Sequence, residues 1–146
     1  MRRKLGLSLA LIFVLVFTFS IQAAGPEDLF LDSAAAQEVI KEQATEDWED
    51  DFEMVKYQID NQTAAYNWLI KVEDHIDLLK LAKEKWDTDY EMIKYEYENQ
   101  VAAYNWVQSQ DEHPEIMAAA KEKWGLDYEM IKYEYENQVE AYESIN

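Results

Sequence analysis

Cysteine is absent from this 146-residue chain, glycine occurs three times and proline twice. Without cysteine there is no disulfide and no thiolate for a structural zinc site, so a folded, exported part must hold together by packing alone. A lipid-modified cysteine anchor is excluded for the same reason. Glycine stands only at Gly6, Gly25 and Gly125, which leaves no glycine-rich loop to cradle a phosphate. Positive charge is scarce too: 13 Lys and Arg face 31 Asp and Glu, for a formal charge of −18. Such a surface repels nucleic-acid backbones and anionic membranes, and leaves basic proteins, cations and neutral ligands as partner classes. In its plainest role an acidic coat keeps a chain soluble. No GxSxG or HExxH occurs, and carboxylate pairs are too common in so acidic a chain to mark acid–base chemistry. The chain reads as a non-enzyme with no catalytic residue, metal or cofactor assigned.

What is present begins with an export signal. Arg2, Arg3 and Lys4 precede an apolar run from Leu5 to Phe19, and Ala23, Ala24 and Gly25 offer small residues to a peptidase. Residues 1–25 therefore read as a signal peptide, cleaved to release residues 26–146 into the periplasm or the exterior with no stable membrane association. The alternative is a retained N-terminal anchor, because Leu5 to Gly25 carries no charge and is long enough to span a bilayer. Cleavage removes three basic residues and no acid, which takes the formal charge from −18 to −21. The remaining length, about 120 residues, suffices for one domain with a sizeable core.

That remainder repeats itself. DYEMIKYEYENQ spans Asp89 to Gln100 and returns at Asp127 to Gln138, and a diverged copy, DFEMVKYQIDNQ, spans Asp51 to Gln62. Trp48, Trp86 and Trp124 are 38 apart, as are Met54, Met92 and Met130, and Tyr66, Tyr104 and Tyr142. A fixed period of this size marks a stacked array of small units. The units are placed at residues 34–71, 72–109 and 110–146.

Each unit reads as helical. In the second, Tyr90, Ile93, Tyr97, Gln100, Tyr104 and Val107 advance by three and four along one helix face. Met92, Tyr95, Asn99, Ala102 and Trp106 do the same on a face turned roughly 150–180° away. A surface helix needs one such stripe, so two predict a helix pressed between neighbours. A shorter helix precedes it, exemplified by Pro114 to Trp124, with Pro114 in its first turn and Gly125 as its left-handed terminator. In the second unit the break is expected at Asp87-Thr88-Asp89, with Thr88 and Glu91 as a capping box. The expected fold is all-α: three tandem helix pairs forming a short α-solenoid. The alternative is three long antiparallel helices in a bundle.

Polarity at the ends favours the stack. Ala102, Asn105 and Trp106 correspond to Glu140, Glu143 and Ser144 in the last unit, while Ile76, Leu79 and Leu81 correspond to Glu38, Lys41 and Gln43 in the first. Terminal units of stacked arrays carry polar outer faces, which also argues against end-to-end assembly. The architecture resembles helix-pair repeats of the tetratricopeptide and Sel1-like kinds. Ala102 and Pro114 follow Trp86 at tetratricopeptide-like distances, but Asp89-Tyr90 replaces the Leu-Gly of that pattern and the unit is four residues longer.

Several residues are candidates for particular roles. Asn61-Gln62, Asn99-Gln100 and Asn137-Gln138 recur mid-helix, where side-chain amides bonded to each other between parallel helices would fix register. Trp48, Trp86 and Trp124 are expected as packing anchors between the helices of a unit. Tyr57, Tyr95, Tyr133, Trp68 and Trp106 are the candidates for a partner surface, since exposed aromatic rings bury much area at small entropic cost. His75 and His113 lie among carboxylates but read as helix-start residues, not metal ligands. Asn61-Gln62-Thr63 fits a glycosylation sequon found in no other copy. The expected function is protein–protein interaction through an acidic, aromatic face, with another protein, a basic one included, as partner. The alternatives are binding of small neutral ligands such as saccharides, and a self-assembling structural protein.

Overall fold

Long runs of good helix formers, punctuated at fixed places by short polar breaks, give six α-helices and no strand among residues 25–145, the part described by this computed structural model. The signal segment expected at residues 1–25 falls, but for Gly25, outside the described residues. No helix among the described residues is long and apolar enough to cross a membrane. After a single 3₁₀ turn at Pro26–Asp28 come α1 (Ser33–Trp48), α2 (Phe52–Leu69), α3 (Ile76–Trp86), α4 (Tyr90–Gln108), α5 (Pro114–Trp124) and α6 (Tyr128–Ile145).

Caps and breaks set these limits. Asp32 accepts the N–H groups of Ala34 and Ala35 at 2.9 and 3.0 Å and so starts α1. Asp51, Asp89 and Asp127 each stand one residue before a long helix and accept the N–H of Met54, Met92 and Met130 at 3.2, 3.1 and 3.1 Å. The cap before α4 is thus Asp89 and not Thr88, whose hydroxyl instead accepts from the Gln43 amide at 2.7 Å. A carboxylate one residue later bonds the next first-turn donor, the Met92 N–H, and complements the positive helix end. Pro114 opens α5, as expected.

All three breaks share one backbone shape. Glu49, Asp87 and Gly125 have φ of 46°, 50° and 62°, and each donates its N–H to the carbonyl four residues back, at 2.8–2.9 Å. The helices of each copy are therefore separate, unlike the three continuous rods of the bundle alternative. Glycine is not required for the break, because two acidic residues adopt the same left-handed φ.

Packing is pairwise and serial. α1 lies against α2, α3 against α4 and α5 against α6, while α4 also contacts both α2 and α6. Ala36, Ala44, Ala82 and Ala120 are buried, so methyl groups occupy the contacts of the short helices. One core cluster includes Phe30, Ile40, Leu69, Leu79, Tyr90 and Ile93, and a second joins Val107, Met117, Ala120, Ile131 and Tyr135. Fully burying a side chain such as Leu79 contributes about 1.5–3 kcal/mol.

The first face of α4 is buried at Tyr90, Ile93, Tyr97, Gln100 and Val107 and half-buried at Tyr104. The second face departs from expectation. Met92, Asn99 and Trp106 are half-buried, but Ala102 is exposed and Tyr95 is 59% exposed. This stripe falls into furrows between α4 and its neighbours and is not covered by another layer.

The tryptophans differ as well. Trp86 and Trp124 are half-buried and pack against the two core clusters, with Lys85 and Lys123 over their rings at 5.5 and 5.0 Å. Trp48 is 41% exposed, which corrects its expected role as a core anchor. Asp47 occupies the position of those lysines and offers no cation to cover the ring; its carboxylate accepts from Gln58 at 2.8 Å.

Candidate functional site

Two furrows run between successive long helices, and their linings correspond residue for residue. Between α2 and α4, Asn61, Ala64, Ala65 and Trp68 face Glu91, Lys94, Tyr95 and Glu98 around a cavity of about 400 Å³. Between α4 and α6, Asn99, Ala102, Ala103 and Trp106 face Glu129, Lys132, Tyr133 and Glu136 around about 460 Å³. Every member of the second set lies 38 positions after its counterpart in the first. Helical spacing explains the grouping: 91, 94, 95 and 98 advance by three, four and seven, so they share one face of α4. The small alanines keep the floor open.

Tryptophan forms one wall of each furrow. Trp68 meets Tyr97 edge-on at 5.8 Å, and Lys94 lies 5.1 Å from the centre of its ring. Trp106 repeats this with Tyr135 at 5.8 Å and Lys132 at 5.1 Å. Each indole is thus held by a neighbouring helix. Tyr95 and Tyr133 stand across from the indoles with their rings in solvent. Partial desolvation at the furrow wall, reinforced by nearby Asp89, pushes the Glu91 carboxyl above its ordinary range, although the side chain as a whole is exposed. In the second furrow, burial followed by the charges of Glu96 and Asp127 does the same to Glu129. A cationic group entering either furrow would relieve that penalty.

The helices that bound the furrows are locked at their starts. Gln62 donates to the Asp89 carboxylate at 2.8 Å, and its carbonyl accepts from Tyr90 N–H at 2.7 Å and Glu91 N–H at 3.3 Å. Gln100 likewise donates to Asp127 at 3.1 Å and accepts from Tyr128 N–H at 2.7 Å. The expected amide-to-amide ladder is therefore not formed. A single glutamine clasps the start of the next long helix, because the free N–H groups and capping carboxylate there offer one acceptor and two donors at once. Asn61 and Asn99 face the furrows instead. Asn137 and Gln138 are exposed, and Gln138 bonds within its own helix to Glu134 at 3.2 Å.

The structure brings Trp68 together with Tyr95 and Trp106 together with Tyr133, but it sets Tyr57 apart. Tyr57 borders a different hollow of about 360 Å³, alongside Trp48, Met54 and Met92. His75 and His113 pack their rings on Tyr104 and Tyr142 at 4.6 and 5.0 Å. The charged furrow residues, Glu91, Lys94 and Glu98 with their counterparts, were missed by sequence reasoning. Their signal was present, since all three recur at the 38-residue step on the face that carries Tyr95.

A second charged feature stabilises the α3–α4 and α5–α6 pairs. Glu96 is buried on α4, where it accepts from Lys85 at 2.8 Å, Gln100 at 3.4 Å and the Trp86 indole at 3.5 Å. Burial by itself raises this carboxyl, but the bonds from Lys85, Gln100 and Trp86 and the charge of Lys85 outweigh it and hold the group below the ordinary range. Lys123 and Glu134 repeat the contact at 2.8 Å.

No protein-family model, curated protein or solved structure matches the chain.

Proposed function

We propose that this chain is an exported, non-catalytic helical-repeat protein that engages another protein through the paired furrows. In this reading the six helices are three tandem 38-residue helix pairs forming a short α-solenoid, with residues 1–25 removed on export. The observation that carries the reading is the residue-for-residue equivalence of the furrows between α2 and α4 and between α4 and α6. Two like sites one unit apart suit a partner segment that presents similar groups twice, and such bivalence multiplies affinity when the spacing fits.

The chemistry indicates the kind of segment. Each furrow offers two glutamates against one lysine, an exposed tyrosine, an asparagine and an indole held by its neighbours, on a chain of formal charge −18. Lysine or arginine side chains on the partner would meet the glutamates, and their aliphatic stems would lie along tyrosine. Tyrosine and tryptophan are also the residues that most often dominate interface energies.

The test is capture of partners from the exported fraction by the wild-type chain and by a Tyr95→Ala/Tyr133→Ala variant. Loss of about tenfold in affinity per tyrosine is expected, equivalent to 1.4 kcal/mol each. Charge-steered binding should also weaken markedly as salt rises from about 0.05 to 0.5 M. Binding that ignores both tyrosines would overturn the reading. Binding that needs the tyrosines but ignores salt would favour a neutral ligand such as a saccharide.

A further inference from the structure

The two internal junctions between long helices are built alike, and each end of the described helices carries one half of a third. At the first junction Gln62 holds Asp89 and Tyr90, and Tyr66 meets the Tyr90 ring edge-on at 5.2 Å. At the second, Gln100 holds Asp127 and Tyr128, and Tyr104 meets Tyr128 at 5.0 Å. The giving half is thus a glutamine, a tyrosine four residues on and an aliphatic residue seven on. It recurs on α6 as Gln138, Tyr142 and Ile145. The receiving half is an aspartate, an aromatic and a β-branched residue at the start of a long helix. It recurs on α2 as Asp51, Phe52 and Val55.

Tyr142 packs on His113 as Tyr104 packs on His75, but other positions that are covered inside the molecule are open at the ends of the described helices. Tyr90 is 1% exposed, but its counterpart Phe52 is 77% exposed. Val107 is buried, but its counterpart Ile145 is 81% exposed. Gln62 and Gln100 are buried, but Gln138 is exposed. A large aromatic and a large aliphatic residue thus stand in water at matching ends of the described helices.

We infer that α6 of one chain seats against the start of α2 of a second copy, head to tail, in the manner of the internal junctions. Such contacts are heterologous: each chain uses two different faces, and repeating the step builds an open row. Polar changes weaken the outer side of this junction. Ser144 stands where Trp68 and Trp106 wall the furrows, and Glu140 stands where Ala64 and Ala102 floor them. Like charge on the copies opposes the contact further, so added salt strengthens it. That is the opposite of the salt response expected for a basic partner in the furrows, and the end faces lie outside both furrows, so either idea can fail alone.

The absence of cysteine permits a directional test on the full chain. One chain carries Glu53→Cys and another Glu140→Cys, both at exposed positions; their counterparts, Glu129 and Ala102, line one furrow. After mixing with a short bis-maleimide, the mixed product should exceed either self-linked product severalfold and should increase towards about 0.5 M salt. Adding Phe52→Glu to the first chain, or Ile145→Asp to the second, should remove that excess while helicity by circular dichroism stays unchanged. Mixed and self-linked products in equal yield would overturn the inference, as would a mixed product that both charged substitutions leave intact.

Discussion

The side-chain carbonyl of Gln62 accepts the backbone N–H of Tyr90 at 2.7 Å while its amide donates to the Asp89 carboxylate at 2.8 Å. One side chain therefore satisfies a free donor at the start of α4 and fixes the residue that caps it. Gln100 does the same for α6, and Gln138 has no following helix in the described chain to clasp. Gln62→Ala or Gln100→Ala should cost about 1–3 kcal/mol in urea unfolding, because Tyr90 or Tyr128 loses a buried partner. Gln138→Ala should stay within about 0.5 kcal/mol of wild type. Equal losses at all three positions would show that the glutamines act through helix propensity and not through the clasp.

The helix breaks supply a second prediction. Asp87 has φ of 50° and Gly125 has φ of 62° at matching places. Left-handed backbone in a non-glycine residue costs of order 1–3 kcal/mol, part of which glycine gives back in unfolded-state entropy. Asp87→Gly should thus stabilise the chain by about 1 kcal/mol, since the Lys83 ion pair it loses is solvent-facing and contributes little. A methyl group built on Gly125 meets nothing within 4 Å, so Gly125→Ala should cost about 1 kcal/mol through conformation alone. Thermal melts of the two variants should therefore move in opposite directions.

Much of this was legible because helical period and repeat period are both linear patterns. The buried face through Tyr90, Ile93, Tyr97 and Gln100, the start of α5 at Pro114 and the break at Gly125 followed from spacing and from proline and glycine chemistry. The clasp was not legible in the same way. Gln62 and Tyr90 are 28 positions apart, and only the packing of one helix start beside the middle of another brings them together. The furrows were half legible. Aromatic residues mark Trp68 and Tyr95, while Glu91 is expected only as the capping partner of Thr88 and Lys94 has no expected role, because the sequence alone does not show which turns of neighbouring helices meet. Trp48 departs from expectation because repeat spacing equates it with Trp86, whereas Asp47 stands where Trp86 and Trp124 each have a lysine over the ring.

That replacement predicts unequal tryptophans. Trp86 packs on the core beneath Lys85 and donates to Glu96, whereas Trp48 is substantially exposed and donates to Gln58. Trp86→Ala should cost about 3 kcal/mol, near the lower end for a core aromatic. Trp48→Ala should cost about 1 kcal/mol, since much of its area is already in water. Introducing Asp47→Lys should lower the accessibility of Trp48 to a fluorescence quencher, with the other four tryptophans changed to Phe to isolate its signal. No change in quenching would mean that the lysine is not what covers the ring.

Acid titration sets Glu96 against Glu91. The folded state holds the Glu96 carboxyl below its ordinary range despite burial, through Lys85, Gln100 and Trp86. Its contribution is therefore complete above the ordinary carboxylate pKa and is lost as pH falls through the lower, folded value. Burial, with Asp89 alongside, raises Glu91. Its ionised form opposes folding only weakly, because the side chain is exposed and screened by solvent, and that opposition fades as pH falls from the higher, folded value to the ordinary one. At about pH 7, Glu96→Gln should unfold at lower urea than wild type and Glu91→Gln at equal or slightly higher urea. Towards about pH 3 both differences should shrink, because carboxyls in the unfolded chain then carry protons. General relief of charge repulsion in acid is shared by all three chains and largely cancels between them. Shifts of the same sign for both variants at neutral pH would contradict the assignment of opposite environments to these two acids on α4.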